Sequence, residues 1–234
     1  MYTKGLTKTD KIKVAVVFQG HPYDVAGFRG MFDRMPDVDY YLQDLENWAL
    51  DAGKCWHDYD VHLFYNMHYW GRFATRGRMA EYRVRDTIEH LGETEQGIIV
   101  LHHALLAFPD TANWSALCNI ENRRLRGCDA GQTVTTEIAN PDHPITRGLE
   151  PWTMTDELYV IDEPKQPKGF MQRGSDILLT TDHPKSMKAL GWAHQYRKSR
   201  VFCYESGHDN LVYRDVSFQT VLNRAIRWTA KRLG

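Results

Sequence analysis

Two stretches decide the fold: Gly97-Ile98-Ile99-Val100-Leu101-His102-His103-Ala104 and Ile12-Lys13-Val14-Ala15-Val16-Val17-Phe18. Ile98 to Leu101 form an unbroken branched aliphatic run with no polar face, as expected of an inner strand covered on both sides. The second stretch is almost as apolar and ends in Gln19-Gly20-His21-Pro22, a turn signal leading into a helix expected over residues 25–35. Residues 38–42 and 59–65 read as two more strands. The succession of strand, helix and strand predicts parallel pairing. An aromatic loop follows at 66–73, and then a helix over 78–91, where Met79, Tyr82, Val84, Ile88 and Leu91 recur at loosely helical spacing.

Downstream, residues 105–150 carry mixed signals, with 114–120 helical and 133–138 alternating like a strand, and read as an elaboration of the same domain. Strands are expected at 157–161, 177–181, 189–193 and 200–204, separated by Pro, Gly and Asp. A helix over 218–233 places Val221, Leu222, Ala225, Ile226, Trp228 and Thr229 on one face and closes the sheet. No repeat or Pro/Ser linker divides the chain. The expectation is a doubly wound, mostly parallel α/β domain over 11–234, preceded by a tail at 1–10.

Composition narrows the function. Lys and Arg number 29 against 30 Asp and Glu, so no global positive field gathers nucleic acid or an anionic membrane. The longest apolar runs, 14–18 and 104–108, fall far short of the ~20 residues of a membrane span. Residues 1–10 hold charge but no apolar stretch of the signal-peptide kind, so the expected location is cytoplasmic. Cys55, Cys118, Cys128 and Cys203 form no C-x-x-C pair and are expected to be reduced and mostly buried. Neither a G-x-S-x-G elbow nor a G-x-G-x-x-G turn after a strand is present, which removes the signatures of serine hydrolases and dinucleotide enzymes.

Ligands of open parallel sheets lie beyond the carboxyl ends of the strands, and three histidines fall there. His21 follows the first strand, His102 follows the strand at 97–101, and His208 follows the last strand through Glu205-Ser206-Gly207. One strand-end histidine is more often structural; three at equivalent ends point to a site. Asp156 and Glu157 are adjacent carboxylates, one inward if the other is outward. The inward one can orient an imidazole, bind a cation or act as a base. His143-Pro144 reads as a turn. Tyr69 and Trp70 of the aromatic loop, with Trp48 and Trp192, offer flat platforms of the kind that stack on sugar rings, although any single aromatic is more often core.

Taken in order, Gly20-His21-Pro22-Tyr23, the 97–104 stretch, His143-Pro144-Ile145-Thr146 with Gly148-Leu149, Asp156-Glu157-Leu158-Tyr159, Trp192 and Ser206-Gly207-His208-Asp209 resemble the ThuA-like, or trehalose-utilisation, proteins. The resemblance covers most of the chain. It implies a flavodoxin-like fold similar to class I glutamine amidotransferases and a site built from His21, His102, Asp156, Glu157 and His208. It also implies that glutaminase activity is absent, because the strand leads into His102 where those enzymes carry a Gly-x-Cys-x-Gly elbow. The sequence departs from the family pattern at Glu95-Gln96-Gly97 and across 122–127, where glycine-rich segments are usual.

The expected function is carbohydrate catabolism, acting on a disaccharide or glycoside, its 3-keto form included, by histidine and carboxylate acid–base chemistry. His102 is expected as base or metal ligand, His21 and His208 as ligands or acid, and Asp156 or Glu157 as orienter. Tyr23, Tyr69, Trp70, His103, His143, Tyr159 and Trp192 are the expected substrate contacts. Three histidines and a carboxylate suit one divalent metal, zinc, manganese or iron(II), with His21, His102 and His208 as its ligands. No nucleotide or flavin is expected. The expected partners are a neutral carbohydrate, a further copy of the chain and a sugar dehydrogenase, with neither nucleic acid nor membrane among them. The alternative is a non-catalytic sugar-binding or regulatory module.

Overall fold

The computed structural model describes residues 10–51, 56–70, 77–166 and 174–234. The tail before Asp10, Cys55 and the end of the aromatic loop at 71–73 lie outside the described residues. Nine strands form one sheet: β1 (Ile12–Gln19), β2 (Val38–Asp44), β3 (Val61–Asn66), β4 (Gly97–Leu101), β5 (Gly127–Ile138), β6 (Trp152–Val160), β7 (Asp176–Thr180), β8 (Ala189–Tyr196) and β9 (Ser199–Tyr204). The helices are α1 (Val25–Asp33), α2 (Leu45–Asp51), α3 (Gly77–Glu89), α4 (Ala112–Cys118), α5 (Asn210–Tyr213) and α6 (Val216–Thr229). The order across the sheet is β2-β1-β3-β4-β9-β8-β7-β5-β6. The first five are parallel, in the flavodoxin-like order, and the last four continue antiparallel.

β4 shows why the parallel part is so apolar. Ile99 and Leu101 pack with Phe28 and Phe32 of α1 and Val221, Leu222, Ala225 and Ile226 of α6. Ile98 and Val100 face the opposite way, into a second core with Trp48, Val84, Ile88, Trp114 and Leu117 from α2, α3 and α4. A polar residue at any of these positions would be buried without a partner on either face.

β5 and β6 form a long antiparallel ribbon that bears on the site. Only the end of β5, Glu137 and Ile138, pairs with β7; the rest pairs with β6 and shifts register between Asp129 and Gln132. Such an irregularity bends a ribbon. The Tyr159 N–H donates to the Glu205 carboxyl and the Tyr159 carbonyl accepts from Met187 N–H, so β6 is pinned beside the carboxyl end of β9. The elaboration expected at 105–150 is therefore α4 and β5, and with β6 it reaches the strand ends.

Helix α2 has no counterpart among the sequence expectations, since its seven residues, about two turns, are too few to show a clear period. The strand expected at 157–161 is the second half of β6. Trp228, expected on the buried face of α6, is only half-buried and packs its ring 5.0 Å from that of His143. No described helix is long and apolar enough to cross a membrane. Helix α6 starts at Asp215, whose carboxylate accepts the Phe218 N–H at 2.7 Å. Asp215→Ala removes this N-cap and should cost about 1 kcal/mol, read as a fall of roughly 2–4 °C in the thermal midpoint.

Candidate functional site

His102 begins the turn that leaves β4. It is fully buried, and its backbone adopts φ +50°, a left-handed conformation that a histidine holds only under constraint. Its Nδ1–H donates to the Glu205 carbonyl at 2.6 Å. A carbonyl can only accept, so Nδ1 carries a proton and Nε2 is the nitrogen that faces the site.

Three groups meet that nitrogen. The Tyr159 hydroxyl lies 2.8 Å away, His208 Nδ1 3.2 Å and Glu157 Oε2 3.3 Å. The same Glu157 oxygen is 3.1 Å from His208 Nδ1 and accepts the Tyr159 O–H at 2.8 Å. Tyr159 and His208 bring one proton each to these close contacts, so a further proton or a metal ion is needed for every pair of facing atoms to be satisfied. His102, Glu157 and His208 offer ligand atoms that all lie within 4.8 Å of one another, which suits a metal ion. The His102 Nδ1–H bond to a main-chain carbonyl is the outer contact that metal-binding imidazoles usually make.

His208 is set by its backbone. Gly207 has φ +130°, a conformation open to glycine and strained for other residues. The Asp156 carboxylate accepts the Gly207 N–H at 2.9 Å and the His208 N–H at 3.0 Å, besides the N–H of Glu157 at 2.8 Å. From the other side Tyr65 O–H donates to the Gly207 carbonyl at 2.9 Å and Tyr213 O–H to the His208 carbonyl at 3.1 Å. Asp156 and Glu157 point opposite ways from β6, as alternation requires. Because the ribbon crosses the strand ends, both directions are occupied, Asp156 under the turn and Glu157 at its opening.

The charges follow from these contacts. Burial pushes the Glu157 carboxyl up, but hydrogen bonds from His102, His208, Cys128 and Tyr159 outweigh it and hold the group well below the usual carboxylate range. His208 is raised, first by its hydrogen bond to Glu157. Burial raises Asp156 against the pull of His102 and the three N–H donors. Glu205 is driven far up by burial and then by Asp156, so it is a neutral acid. Cys128, paired with Tyr159 across the ribbon, is pushed up to about 12 by burial and by Glu157, which keeps it a thiol.

The remaining sequence candidates divide. His21 and His103 adjoin the cluster: their rings stack at 4.5 Å, and His21 is 5.9 Å from the ring of His208. The His21 Nδ1–H donates to the Pro22 carbonyl at 2.8 Å, and burial lowers its pKa. His21 is not in the set of three with converging ligand atoms; Glu157 is. Tyr23 packs edge-on to Phe18 and Tyr65 beside the site. Four others remain. His143 packs on Trp228, whose carbonyl accepts from Arg200 at the start of β9, a strand's length of roughly 20 Å from His208. Trp192 is wholly buried and donates to the Cys118 carbonyl. Trp70 stacks on Phe108, lies under Arg85 and donates to Thr111, while Tyr69 beside it is half-buried. Cys118 and Cys203 are buried as expected, but Cys128 is exposed, at the rim of the site. Sequence reasoning missed Tyr65, Tyr213, Cys128 and Glu205. Only Glu205 carried a signal, as an acid directly after a fully buried strand.

The family model for ThuA, described as trehalose utilisation, matches residues 15–229. No match emerges among curated proteins. Among solved structures, a ThuA-like protein of Bacteroides uniformis ATCC 8492 superposes with a TM-score of 0.67 at 18% identity, covering 98% of this chain and 95% of that one. One from Parabacteroides merdae ATCC 43184 gives 0.66 at 17%, with 94% and 90% covered. PurLQS of Thermotoga maritima gives 0.58 at 13%, with 93% and 99% covered. At these identities the likeness is one of fold, flavodoxin-like and shared with glutamine amidotransferases. Asp156→Asn replaces one acceptor oxygen by an amide donor facing a main-chain N–H. It should lower stability by about 1–3 kcal/mol, read from urea unfolding.

Proposed function

The chain belongs to the ThuA, or trehalose-utilisation, family, and on that premise we propose that it is an enzyme of carbohydrate catabolism acting on a disaccharide or glycoside, in its 3-keto form, at the His102–Glu157–His208–Tyr159 cluster. The observation that carries the proposal is the meeting of two imidazole nitrogens, a carboxylate and a tyrosine hydroxyl, from the ends of β4 and β9 and from β6, with the first three close enough to share one ion. The donor set fits a divalent metal. His102 Nε2, His208 Nδ1 and the Glu157 carboxylate would hold it, and zinc, manganese and iron(II) all accept two imidazoles and a carboxylate. When bound, such an ion polarises a sugar oxygen as a Lewis acid.

The base is assigned to His21. Its Nδ1–H is engaged by Pro22, so Nε2 carries the lone pair, and its lowered pKa keeps the ring neutral near pH 7. In a 3-keto glycoside the carbon beside the carbonyl bears an acidic hydrogen and the next carbon bears the glycosidic oxygen. His21 takes that proton, the electron pair forms a carbon–carbon double bond, and the bond to the glycosidic oxygen breaks. The imidazolium then returns the proton to the departing oxygen. Asp156 does not touch substrate in this scheme; it positions His208 through the main chain. Glutaminase chemistry has no place in it, since His102 occupies the end of β4, Cys118 and Cys203 are buried, and Cys128 beside Glu157 is held as a thiol.

Elemental analysis of untagged protein purified without chelator should find a transition metal near one equivalent, lost in His102→Ala and in Glu157→Ala. Turnover of a 3-keto glycoside should fall by a factor of about 100 or more in His21→Ala, the usual contribution of a general base. Full activity in His21→Ala removes it as base. Sugar binding without any product, in wild type and variants alike, would make the protein a binding module instead.

A further inference from the structure

β1 and β3 end side by side at the point where the order of connection reverses, the usual address of a ligand in such a sheet. There, three polar side chains have buried, unpaired atoms among the described residues. Asn66, the last residue of β3, is wholly buried, and neither its Oδ1 nor its Nδ2 has a hydrogen-bond partner. Its register partner on β1 is Gln19, whose Oε1 is buried and unbonded as well. Val17 and Phe64, two residues earlier on each strand, share one core, so Gln19 and Asn66 project from the same face. His103 Nδ1 is the third unpaired atom; its Nε2–H donates at 3.1 Å to the carbonyl of Tyr65, the residue before Asn66.

Burying an unpaired amide is costly, and a hydrophobic residue of Asn66's size would avoid the cost. Backbone strain collects at the same place. Gln19 has φ +120°, and Gly20, at φ +86°, cannot be replaced, because a Cβ there would lie 2.2 Å from the Met67 carbonyl oxygen. Such costs concentrate at functional sites. We propose that Gln19, Asn66 and His103 form a recognition subsite for uncharged hydroxyl groups of the substrate, beside the His102 cluster; the inference rests on the sugar reading above and specifies which part of the molecule is gripped.

The chemistry of the set selects the ligand. His103 donates from Nε2 to the Tyr65 carbonyl, which leaves Nδ1 as the nitrogen open to a ligand. Gln19 Oε1 and Asn66 Oδ1 are acceptors and Asn66 Nδ2 is a donor. A hydroxyl, which donates and accepts at once, satisfies such a mixture. The set contains no cationic group, so it disfavours a phosphorylated or carboxylated sugar. The ring of His103 lies 5.3 Å from that of His102, so a sugar held at the subsite lies directly against the cluster.

The test is Asn66→Leu, close in size and without polar atoms, read by thermal unfolding without ligand and by calorimetric titration with trehalose and trehalose 6-phosphate. Asn66→Leu should unfold at the wild-type temperature or above, because the group removed has no partner. It should bind trehalose at least about tenfold more weakly, a loss the size of one or two hydrogen bonds, and wild type should prefer trehalose to its phosphate ester. A fall in unfolding temperature overturns the subsite whatever the titrations show, since Asn66 is then bonded within the native structure, ordered water included. Equal trehalose affinity in both proteins also overturns it and leaves the sugar reading intact. Unchanged or raised stability with no binding by wild type of trehalose or, titrated in the same way, of its 3-keto form removes the sugar as occupant, and the reading above with it. Gln19→Met, at a half-buried position, gives the same comparison if Asn66→Leu does not fold.

Discussion

The arrangement depends on one buried carboxylate. Asp156 accepts three main-chain N–H groups, its neighbour's on β6 and those of Gly207 and His208 beyond β9. Taking a carboxylate out of water is unfavourable, and it stays charged in the interior only where hydrogen bonds replace the lost hydration. Those bonds join two distant parts of the chain. They bring the β5–β6 ribbon onto the end of the parallel sheet, so Glu157 and Tyr159 reach histidines that the sheet alone could not supply with a carboxylate. The same bonds hold the His208 main chain from one side while Tyr65 and Tyr213 hold it from the other.

Around this clamp the interior is unusually polar for its depth. His102 and Glu205 are fully buried, and Glu205 has one oxygen bonded to the Tyr159 N–H and the other unpaired. Asn66 lies two strands away with no partner at all. The two α/β cores, by contrast, are almost wholly aliphatic and aromatic. Stability comes from those cores, and the strained or unsatisfied groups gather along the carboxyl edge. A protein spends stability in this way where function requires it. The left-handed backbone of His102 belongs to the same pattern: a sharp turn out of a buried strand points its imidazole across the edge instead of along it.

Much of this was legible in one dimension. The strands at 12–18 and 97–101 announced themselves by having no polar face, which is what burial on both sides demands. His21, His102 and His208 were legible as strand-end residues, and the structure places them at adjacent or near-adjacent strand ends. His143 and Trp192 show the limit. Each is a chemically suitable residue, but side-chain type says nothing about which edge of the sheet a loop reaches or which face of a strand is sealed. His143 is at the amino edge and Trp192 is in the core because of how α6 and α4 pack over the sheet. Tyr65 and Tyr213 were invisible for a related reason, since a tyrosine that holds a main-chain carbonyl looks in sequence like one that fills a core.

By itself the sequence determined the doubly wound sheet, its parallel core and the three histidines at strand ends. Those features depend on local periodicity, on turn residues and on the rule that ligands lie beyond the carboxyl edge. Only the tertiary structure decided that Glu157 and not His21 completes the set of converging ligand atoms, that Asp156 serves the backbone and not the ligand, and that Asn66 and Gln19 Oε1 are buried at paired positions without hydrogen bonds. Each of these depends on contacts between segments 40 or more residues apart. Such contacts are set by the bend of the β5–β6 ribbon and by the crossover order of the strands, which no local pattern records.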